Sequence, residues 1–354
     1  MIPQTADLRI RATRPLLSPA IVAEELPLPA AGAELVTRTR RAIGDILAGR
    51  DDRLLAIVGP CSIHDPAAAL DYAKKLRAAA AQHERDLLVV MRMYFEKPRT
   101  VVGWKGLIND PRLDGSFQIN LGLRLARQLM LDVTALGLPV ATEFLDTTLG
   151  QYYADLVSWA AIGARTVESQ VHRELASGLS MPVGFKNRTD GDLQVAADAI
   201  ASARHPHWFP SLTREGAPAV LSTAGNEQCH LVLRGGARSG PNYDREHIAK
   251  AVAVLKKAGL PAAILVDCSH GNSGKKHDQQ PAVARDLAAQ VAAGERALIG
   301  FMLESNLVGG HQPLEAGRPL AYGQSITDAC LSWDETLPVL ADLARAAAAR
   351  RAKA

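Results

Sequence analysis

Four side chains that could hold a metal ion follow short apolar segments of the chain. They are one thiol, one imidazole and two carboxylates, at Cys61, His270, Glu304 and Asp328. Donors of mixed sulfur, nitrogen and oxygen type suit Zn, Fe, Mn or Co better than Mg or Ca. Each residue alone has an ordinary structural explanation, since buried cysteines are common in protein cores. Their joint occurrence after predicted strands favours a metal site, but sequence spacing by itself leaves both interpretations open.

A second group of residues at predicted strand ends is basic. Cations that lie side by side repel one another unless anions lie between them. Arg binds phosphate and carboxylate through paired hydrogen bonds, and Lys supplies a point charge. The group therefore predicts a pocket for more than one anionic moiety, with a solvated basic rim as the alternative. Its members are Arg92, Lys97, Arg99, Arg165, Lys186 and Arg234.

The elements that would position these residues form a regular alternation. Short, continuously apolar runs are followed by helical patterns, which is typical of parallel strands buried on both faces. The predicted strands span 54–58, 87–91, 139–142, 160–164, 182–185, 230–233, 262–266 and 297–302. The helices predicted to follow them span 66–80, 118–136, 148–157, 170–177, 193–202, 244–258, 281–292 and 334–351.

Eight strand–helix units favour a closed (β/α)8 barrel, an α/β fold whose active site lies at the carboxyl ends of the strands. A doubly wound open sheet is the alternative. Residues 1–50 form an N-terminal extension, with at most a short strand at 8–14 and a helix over 31–49. Two strand-like pieces at 208–213 and 219–223 predict a hairpin inserted at 208–223. The whole chain, 1–354, is expected to be one barrel domain.

Charge, cysteine content and hydropathy limit the classes of function. The chain has 40 basic and 37 acidic residues, a net charge of +3, and 5% aromatic residues, which argues against nucleic-acid binding. Its four cysteines form neither a CxxC pair nor a disulfide framework, so a reducing compartment is expected. Neither a signal sequence nor an apolar run of about 20 residues is apparent. We therefore expect a cytoplasmic protein without a membrane partner.

Seven motifs in order along the chain resemble those of a known enzyme family. They are GPCSIH at 59–64, KPRT at 97–100, GWKG at 103–106, AIGART at 161–166, GFKN at 184–187, LRGG at 233–236 and DCSHGN at 267–272. Together they resemble the class I, aromatic-amino-acid-regulated 3-deoxy-D-arabino-heptulosonate-7-phosphate (DAHP) synthases, over about residues 7–340. That family condenses phosphoenolpyruvate with erythrose 4-phosphate and water to DAHP and phosphate, the first step of the shikimate pathway.

The resemblance implies a role for each candidate residue. One divalent metal ion (Mn, Fe, Co or Zn) would be held by Cys61, His270, Glu304 and Asp328. Phosphoenolpyruvate would be held by Arg92, Ala164, Arg165, Lys186 and Arg234. The aldose phosphate would face Lys97, Arg99 and Thr100. Catalytic roles would fall to Lys97, Cys61, His270 and Glu143, and His172 would also line the site.

Regulation is implied by the same resemblance. Relatives bind Phe, Tyr or Trp at a site built from the N-terminal extension and the hairpin, and they form homodimers or homotetramers. Ser211 resembles Phe- or Trp-sensitive members more than Tyr-sensitive ones, and of the three effectors Phe is favoured. Gly150 replaces a proline that is common in the family, so Trp and Tyr stay open as effectors. The effector residues could instead merely support the hairpin. They are Asp7, Gln151, Ser180, Phe209, Ser211 and Leu221.

Alternatives and one redox prediction remain from the sequence. The chain could be a sibling synthase that uses arabinose 5-phosphate, a Schiff-base aldolase that uses Lys186, or a catalytically silent binding subunit. The motif at 97–100 and the N-terminal extension argue against the first alternative. If Asp328 is a ligand, Cys330 should lie near Cys61, and oxidation could join the two cysteines and expel the metal.

Overall fold

The computed structural model describes residues 3–315 and 317–353. The strands are β1 (Leu54–Gly59), β2 (Leu87–Arg92), β3 (Val140–Glu143), β4 (Val157–Ile162), β5 (Val183–Lys186), β6 (Trp208–Leu212), β7 (Pro218–Ser222), β8 (Cys229–Leu233), β9 (Ile264–Asp267), β10 (Leu298–Glu304), β11 (Val308–His311) and β12 (Gln324–Ser325). The helices are α1 (Pro19–Glu25), α2 (Ala30–Leu47), α3 (Pro66–Gln82), α4 (Ile119–Ala135), α5 (Gln170–Gly178), α6 (Gln194–Ala203), α7 (Arg245–Lys257), α8 (Gln280–Ala293) and α9 (Trp333–Arg351).

Eight parallel strands close into a barrel in the order β1-β10-β9-β8-β5-β4-β3-β2. Closure occurs at β1, where Leu55 lies opposite both Leu88 of β2 and Gly300 of β10. The predicted (β/α)8 fold is therefore confirmed, and the open-sheet alternative is wrong. Because all the strands run the same way, their carboxyl ends meet at one mouth of the barrel.

Both faces of the barrel strands are buried, which explains their continuously apolar sequences. In β1, Leu55 and Ile57 face the barrel interior, whereas Leu54, Ala56 and Val58 pack outward against the helices. This alternation follows from the two-residue period of a strand. Two apolar cores result, one inside the barrel and one between the barrel and its helices.

Helix α2 closes the amino end of the barrel. Its Ile43 and Ile46 are buried in the interior core, and Arg40 donates at 2.9 Å to the carbonyl of Val157, the first residue of β4. The carboxyl end of the barrel therefore stays open, and the candidate site residues lie there.

The helix boundaries follow local capping chemistry. Asp65 accepts hydrogen bonds from the Ala67 and Ala68 amides (2.9 and 3.2 Å) at the start of α3, and Pro66 fits the first turn. Helix α9 begins with a capping box between Ser332 and Glu335. The first cap lies six residues after β1, whereas the second follows the long segment that separates β10 from α9.

The structure corrects three predicted elements. Residues 148–157 are not a helix but a 3-10 turn, Leu149–Tyr152, which starts where Asp146 accepts from the Thr148 amide at 2.7 Å. Strand β4 begins at Val157, three residues before the predicted strand, because its fully buried residues pair with β3. Residues 8–14 form no strand, and a short helix, α1, follows them.

The predicted inserted hairpin is present as the antiparallel pair β6 and β7, with Phe209 opposite Leu221. It lies outside the barrel and is tied to the N-terminal extension, since the Ala20 amide donates to the Arg214 carbonyl at 2.8 Å. The extension is also anchored by Arg127, which donates to the Leu26 carbonyl at 2.8 Å. Among the described residues, no helix has the length and apolarity needed to cross a membrane.

One buried polar pair lies inside the barrel core. Trp159 Nε1 donates to His230 Nε2 at 3.1 Å, and His230 Nδ1 lies 3.1 Å from the Gln228 carbonyl. These partners require a neutral imidazole with its proton on Nδ1. Burial lowers the pKa of His230 to about 4, because the charged form would lose its hydration.

We predict that this histidine makes stability depend on pH. The unfolded chain binds a proton below the ordinary pKa of 6.5, whereas the folded chain resists it down to about 4. Stability is thus fully present above pH 6.5 and falls as the pH falls toward 4, by about 3 kcal/mol, since a tenfold change in proton affinity is about 1.4 kcal/mol. Urea midpoints measured across this range should show a smaller decline in His230→Gln.

The control variant is His205→Gln, at an exposed position outside the barrel. It should show the same pH dependence as the unmodified chain. Equal declines in His230→Gln and in the unmodified chain would contradict the prediction.

Candidate active site

One cavity of about 1030 Å³ lies at the carboxyl ends of the barrel strands. It is lined by residues of both predicted groups, metal-ligating and basic, so the strand ends that carry them meet at one mouth of the barrel. The predicted residues that line the cavity are Arg92, Lys97, Arg99, Thr100, Glu143, Ala164, Arg165, Lys186, Arg234, His270, Glu304 and Asp328.

Cys61 follows β1 directly and is wholly buried, beside residues Glu304 and Asp328 that line this cavity. One ligand atom each from Cys61, Glu304 and Asp328 lie within 4.8 Å of one another. The Cys61 Sγ is 3.7 Å from Asp328 Oδ2, and Nε2 of His270 is 3.8 Å from Glu304 Oε1. His270 therefore adjoins this group of three through Glu304, and the four predicted metal ligands come from four separate parts of the sequence.

These donors fit a divalent cation. Burial, and after it the charge of Glu304, raises the pKa of the Cys61 thiol to about 11, because a thiolate there would lie among carboxylates. A cation among these atoms would replace repulsion with attraction and favour the thiolate, which is the ligand form of cysteine. The structure thus contains a candidate metal-ligand group.

The imidazole of His270 is held in place by its neighbours. Its Nδ1 lies 3.0 Å from Asp267 Oδ2 and 2.6 Å from Ser269 Oγ, which leaves Nε2 toward Glu304. The backbone of His270 has a left-handed φ of 55°, a strained value for a residue with a side chain. A carboxylate behind the imidazole is the usual arrangement around a metal-binding histidine.

Asp267 begins the DCSHGN motif directly after the strand predicted at 262–266, but no role was predicted for it. It is wholly buried, and Lys186 Nζ donates to it at 2.8 Å. Burial alone would raise the pKa of Asp267, but Lys186 and His270 hold it well below its ordinary value. Its carboxylate therefore connects the basic group with the metal-ligand group.

Arg92 connects the two groups at a second point. Its Nη2 donates to Glu304 Oε1 at 2.9 Å, and its guanidinium lies 3.5 Å from the ring centre of Tyr94. Stacking on an aromatic face and an ion pair together fix its orientation. Another fixed cation is Lys97, whose Nζ lies 3.1 Å from Cys61 Sγ.

Other cations of the cavity have no acidic partner among the described residues. Arg99 and Arg165 are exposed to the cavity and form no ion pair within residues 3–315 and 317–353. Burial lowers the pKa of Arg234, and Arg165 acts in the same direction against the opposing charge of Asp267. Neighbouring cations that have no acidic partner within the described residues are suited to bind anionic ligands.

Three buried asparagines, which the sequence did not single out, fix the loops that carry these cations. Asn187 Oδ1 accepts from the Arg234 amide, and Asn242 Oδ1 accepts from the Gly235 amide, both at 2.8 Å. Asn272 Oδ1 accepts from the Asn242 amide at 2.8 Å. Asn187 and Asn272 end the GFKN and DCSHGN motifs, whereas Asn242 lies in a polar loop and had no signal in the sequence. They set the loops after β5, β8 and β9 relative to one another.

Glycines are required where two loops meet at the cavity. Gly235 has φ 70°, and a side chain on it would meet the backbone of Gly271 at 2.4 Å. At Gly163 a side chain would lie 2.1 Å from Glu143 Oε1. The motif around 235 therefore requires its glycine because two backbones approach closely there, whereas at 163 an added side chain would displace only the end of the Glu143 side chain.

His172 does not line the cavity, so that expectation is wrong. Both its ring nitrogens are used locally, each 2.8 Å from an oxygen, one of Ser169 and one of Leu145. Cys330 does lie beside Cys61, whose amide donates to Cys330 Sγ at 3.4 Å. Whether oxidation joins these cysteines stays a prediction.

Four of the six predicted effector residues lie at the hairpin or against it. Gln151 Nε2 donates to the Leu212 carbonyl at 3.2 Å, while Phe209 and Leu221 face each other across the hairpin. Ser211 lies opposite Ala219 in the same sheet. Asp7 lies in the exposed N-terminal segment with φ 59°, and Ser180 is exposed after α5.

The chain also matches known proteins along nearly its whole length. The family model of the DAHP synthetase I family matches residues 26–341. A Phe-sensitive phospho-2-dehydro-3-deoxyheptonate aldolase of Escherichia coli K12 is 56% identical over 348 residues, 98% of this chain and 99% of the relative. The chain belongs to the DAHP synthetase I family.

Other members of the DAHP synthetase I family agree in sequence and in fold. A Trp-sensitive phospho-2-dehydro-3-deoxyheptonate aldolase of Enterobacter agglomerans is 52% identical over 98% of this chain and 99% of the relative. The solved structure of the corresponding aldolase from Francisella tularensis SCHU S4 superposes with a TM-score of 0.95 at 51% identity, covering 97% of this chain and 99% of that one.

We predict that Asp267→Asn destabilises the protein. The amide would leave Lys186 with no negative partner in a buried position, and breaking a buried pair in this way costs about 3 kcal/mol or more. Thermal and urea unfolding would measure the loss.

The matched control is Asp45→Asn, which removes an exposed pair with Arg50. Exposed pairs contribute about 1 kcal/mol or less, so this variant should unfold nearly as the unmodified chain does. The prediction fails if both variants lose the same stability.

Proposed function

We propose that this chain condenses phosphoenolpyruvate with erythrose 4-phosphate and water to give DAHP and inorganic phosphate, the first step of the shikimate pathway. The observation that carries the proposal is a cavity lined by an imidazole and two carboxylates, with the thiol of Cys61 beside them. The same cavity is lined by cations that have no acidic partner among the described residues. Membership of the DAHP synthetase I family supports the same reaction.

Cys61, His270, Glu304 and Asp328 would hold one divalent metal ion, and Mn, Fe, Co and Zn all suit this donor set. When bound, the ion would supply Lewis-acid polarisation of an aldehyde oxygen. Substrate binding, orientation and proton transfer would be carried out by side chains of the protein.

Arg165 and Arg234 would hold the phosphate of phosphoenolpyruvate at the outer part of the cavity. Their mutual repulsion would be relieved by a dianion between them. Lys186 and Arg92, which are deeper and fixed by Asp267 and Glu304, would hold the carboxylate. Two-point binding of this kind orients the C2–C3 double bond and removes the entropic cost of orientation from the chemical step.

Arg99 and Thr100 would bind the phosphate of erythrose 4-phosphate, since both are exposed at the rim of the cavity. This would bring the aldehyde end toward Cys61 and Lys97. Although burial opposes it, Cys61 in its thiolate form and the carboxylate of Glu304 raise the pKa of Lys97, so its side chain stays an ammonium. It would deliver a proton to the alkoxide oxygen that forms.

The bonds change in a balanced sequence. C3 of phosphoenolpyruvate attacks the aldehyde carbon, and the aldehyde oxygen takes a proton. Positive charge develops at C2, where water adds, and phosphate then leaves by cleavage of the C–O bond. Glu143, which lines the cavity beside Gly163, would accept the proton of the attacking water.

The Schiff-base alternative is less well supported. Lys186 Nζ is a buried donor to Asp267 at 2.8 Å and is only 4% exposed. An ion-paired ammonium is a poor nucleophile, because attack on a carbonyl requires the free amine. The metal-ligand group would also have no purpose in that mechanism.

We predict that Cys61→Ala and His270→Ala each abolish phosphate release from the two substrates while the fold stays intact. Removal of a ligand would lower metal content as well as activity. A coupled phosphate-release assay, run with and without a chelator, and metal analysis of the purified protein would measure both effects.

Cys229→Ala is the matched control, because Cys229 is a buried cysteine at the start of strand β8. It lies at the amino end of the barrel, away from the cavity at the carboxyl ends of the strands. It should keep both metal and activity. If Cys61→Ala remained fully active after chelation, the proposed role of the metal would be wrong. If the unmodified chain released no phosphate, the proposed reaction would be wrong.

We propose further that an aromatic amino acid inhibits the enzyme, with Phe favoured over Trp and Tyr. The names of relatives record Phe- and Trp-sensitive forms, and Gln151, Phe209, Ser211 and Leu221 lie at or against the hairpin.

We also propose a homodimer or homotetramer, since apolar Leu8 and Ile10 are exposed in the N-terminal segment. A reducing, cytoplasmic location suits its four free, buried cysteines.

We predict that one aromatic amino acid, tested at saturating substrates, inhibits phosphate release and that Gln151→Ala weakens this inhibition about tenfold. The Gln151 amide holds the 3-10 turn to the hairpin, so its loss would disturb the effector pocket. Gln82→Ala, at an exposed position of α3, serves as the control. Activity that none of the three amino acids lowers would remove the regulatory proposal.

A further inference from the structure

Two segments far apart in the sequence must meet to form the candidate metal-ligand group. Cys61 follows β1 directly, whereas Asp328 lies in the long segment between β10 and α9, 267 residues further along the chain. Asp328 is exposed on the wall of the cavity, so its own packing holds it weakly. Something else must set its distance from Cys61.

The residues next to these two ligands bond to each other. Ser62 Oγ and Thr327 Oγ1 form a hydrogen bond of 2.6 Å, with Ser62 only 1% exposed. Ser325 Oγ in turn accepts from the Thr327 amide at 3.1 Å and lies 3.4 Å from Thr327 Oγ1. The residue after Cys61 is thus linked to the residue before Asp328, and a third hydroxyl fixes that link.

The same segment is anchored to the barrel independently of these hydroxyls. The Leu331 amide donates to the Glu304 carbonyl at 2.9 Å, and Gly310 and Cys330 exchange backbone hydrogen bonds of 2.8 and 3.1 Å. The Ser305 amide donates to the Gly59 carbonyl at 2.9 Å. Loss of one hydroxyl pair would therefore leave the segment folded and free only the part around Asp328.

We propose that Ser62 and Thr327 form a positioning pair that sets the affinity of the site for its metal ion by fixing Asp328 against Cys61. The proposal rests on the proposed metal site and adds two residues that do not touch the ion. Groups that orient ligands in this way commonly affect metal affinity by roughly 10- to 100-fold. The hydroxyls act on the geometry of the ligands and not on the stability of the barrel.

The test uses the full-length protein, first stripped of metal, and Co²⁺ as the probe. Binding is followed by the sulfur-to-cobalt charge-transfer absorption, which reports the Cys61 thiolate directly and requires no catalysis. Thr327→Val, which keeps the shape of the side chain but removes the hydroxyl, should raise the Kd for Co²⁺ about tenfold. Ser62→Ala should raise it by a similar factor, and the double variant should add little, because both remove the same hydrogen bond.

Two variants separate this role from a general effect of hydroxyl loss. Thr327→Ser restores the hydroxyl and should restore Co²⁺ affinity. Ser177→Ala removes a hydroxyl pair of the same kind, 2.7 Å from Thr223, between α5 and the hairpin region. It should leave Co²⁺ affinity unchanged.

The outcomes distinguish the inference from the proposed function. If the unmodified protein bound no Co²⁺ through a thiolate, the proposed metal site itself would be wrong. If it bound Co²⁺ and Thr327→Val bound equally tightly, only the positioning pair would be wrong. A large fall in the thermal midpoint of metal-free Thr327→Val would likewise overturn it, since the pair would then support the fold.

Discussion

The carboxylate of Asp267 is wholly buried and forms an ion pair with Lys186, whose Nζ donates to it at 2.8 Å. The same carboxylate lies 3.0 Å from Nδ1 of His270. An isolated carboxylate at this depth would be costly, because its hydration is lost. Lys186 and His270 compensate for that loss, and in turn each is held in one orientation. The basic group and the candidate metal-ligand group therefore share one buried charge.

The barrel makes this arrangement possible because it delivers many strand ends to one mouth. Alternating side chains fill the interior, and α2 closes the amino end with Ile43 and Ile46. Only the carboxyl mouth stays open, so charged residues placed there can be desolvated on one side and reach ligands on the other. Buried asparagines and closely packed glycines then fix the loops without adding charge.

Much of the fold was predictable, and the exceptions have physical reasons. Continuous apolar runs identified the barrel strands, since burial on both faces leaves no other pattern. The helix expected at 148–157 failed because Asp146 starts a tight turn and the residues from Val157 onward are required by the barrel. Local sequence there is compatible with a helix, and strand pairing with β3 overrides it.

The positions of some site residues were predictable from the sequence, whereas those of others depend on how distant segments pack. Residues that follow a strand directly, such as Cys61, Arg92 and Glu304, could be placed at the mouth from the sequence. His172 could not be excluded, because its bonds to Ser169 and Leu145 depend on how two separate segments pack. Asp267 was visible at a strand end, but its partner Lys186 lies 81 residues away, and only closure of the barrel shows the pair.

The amino-acid sequence by itself determined the alternation of strands and helices, the chemical types at the strand ends and, through its motifs, the family. The tertiary structure decided which of those side chains meet, which charges are compensated and which stay open to anions. The physical reason is that apolar patterning is a local property, whereas the distance from Ser62 to Thr327 or from Lys186 to Asp267 is set only when the whole barrel closes.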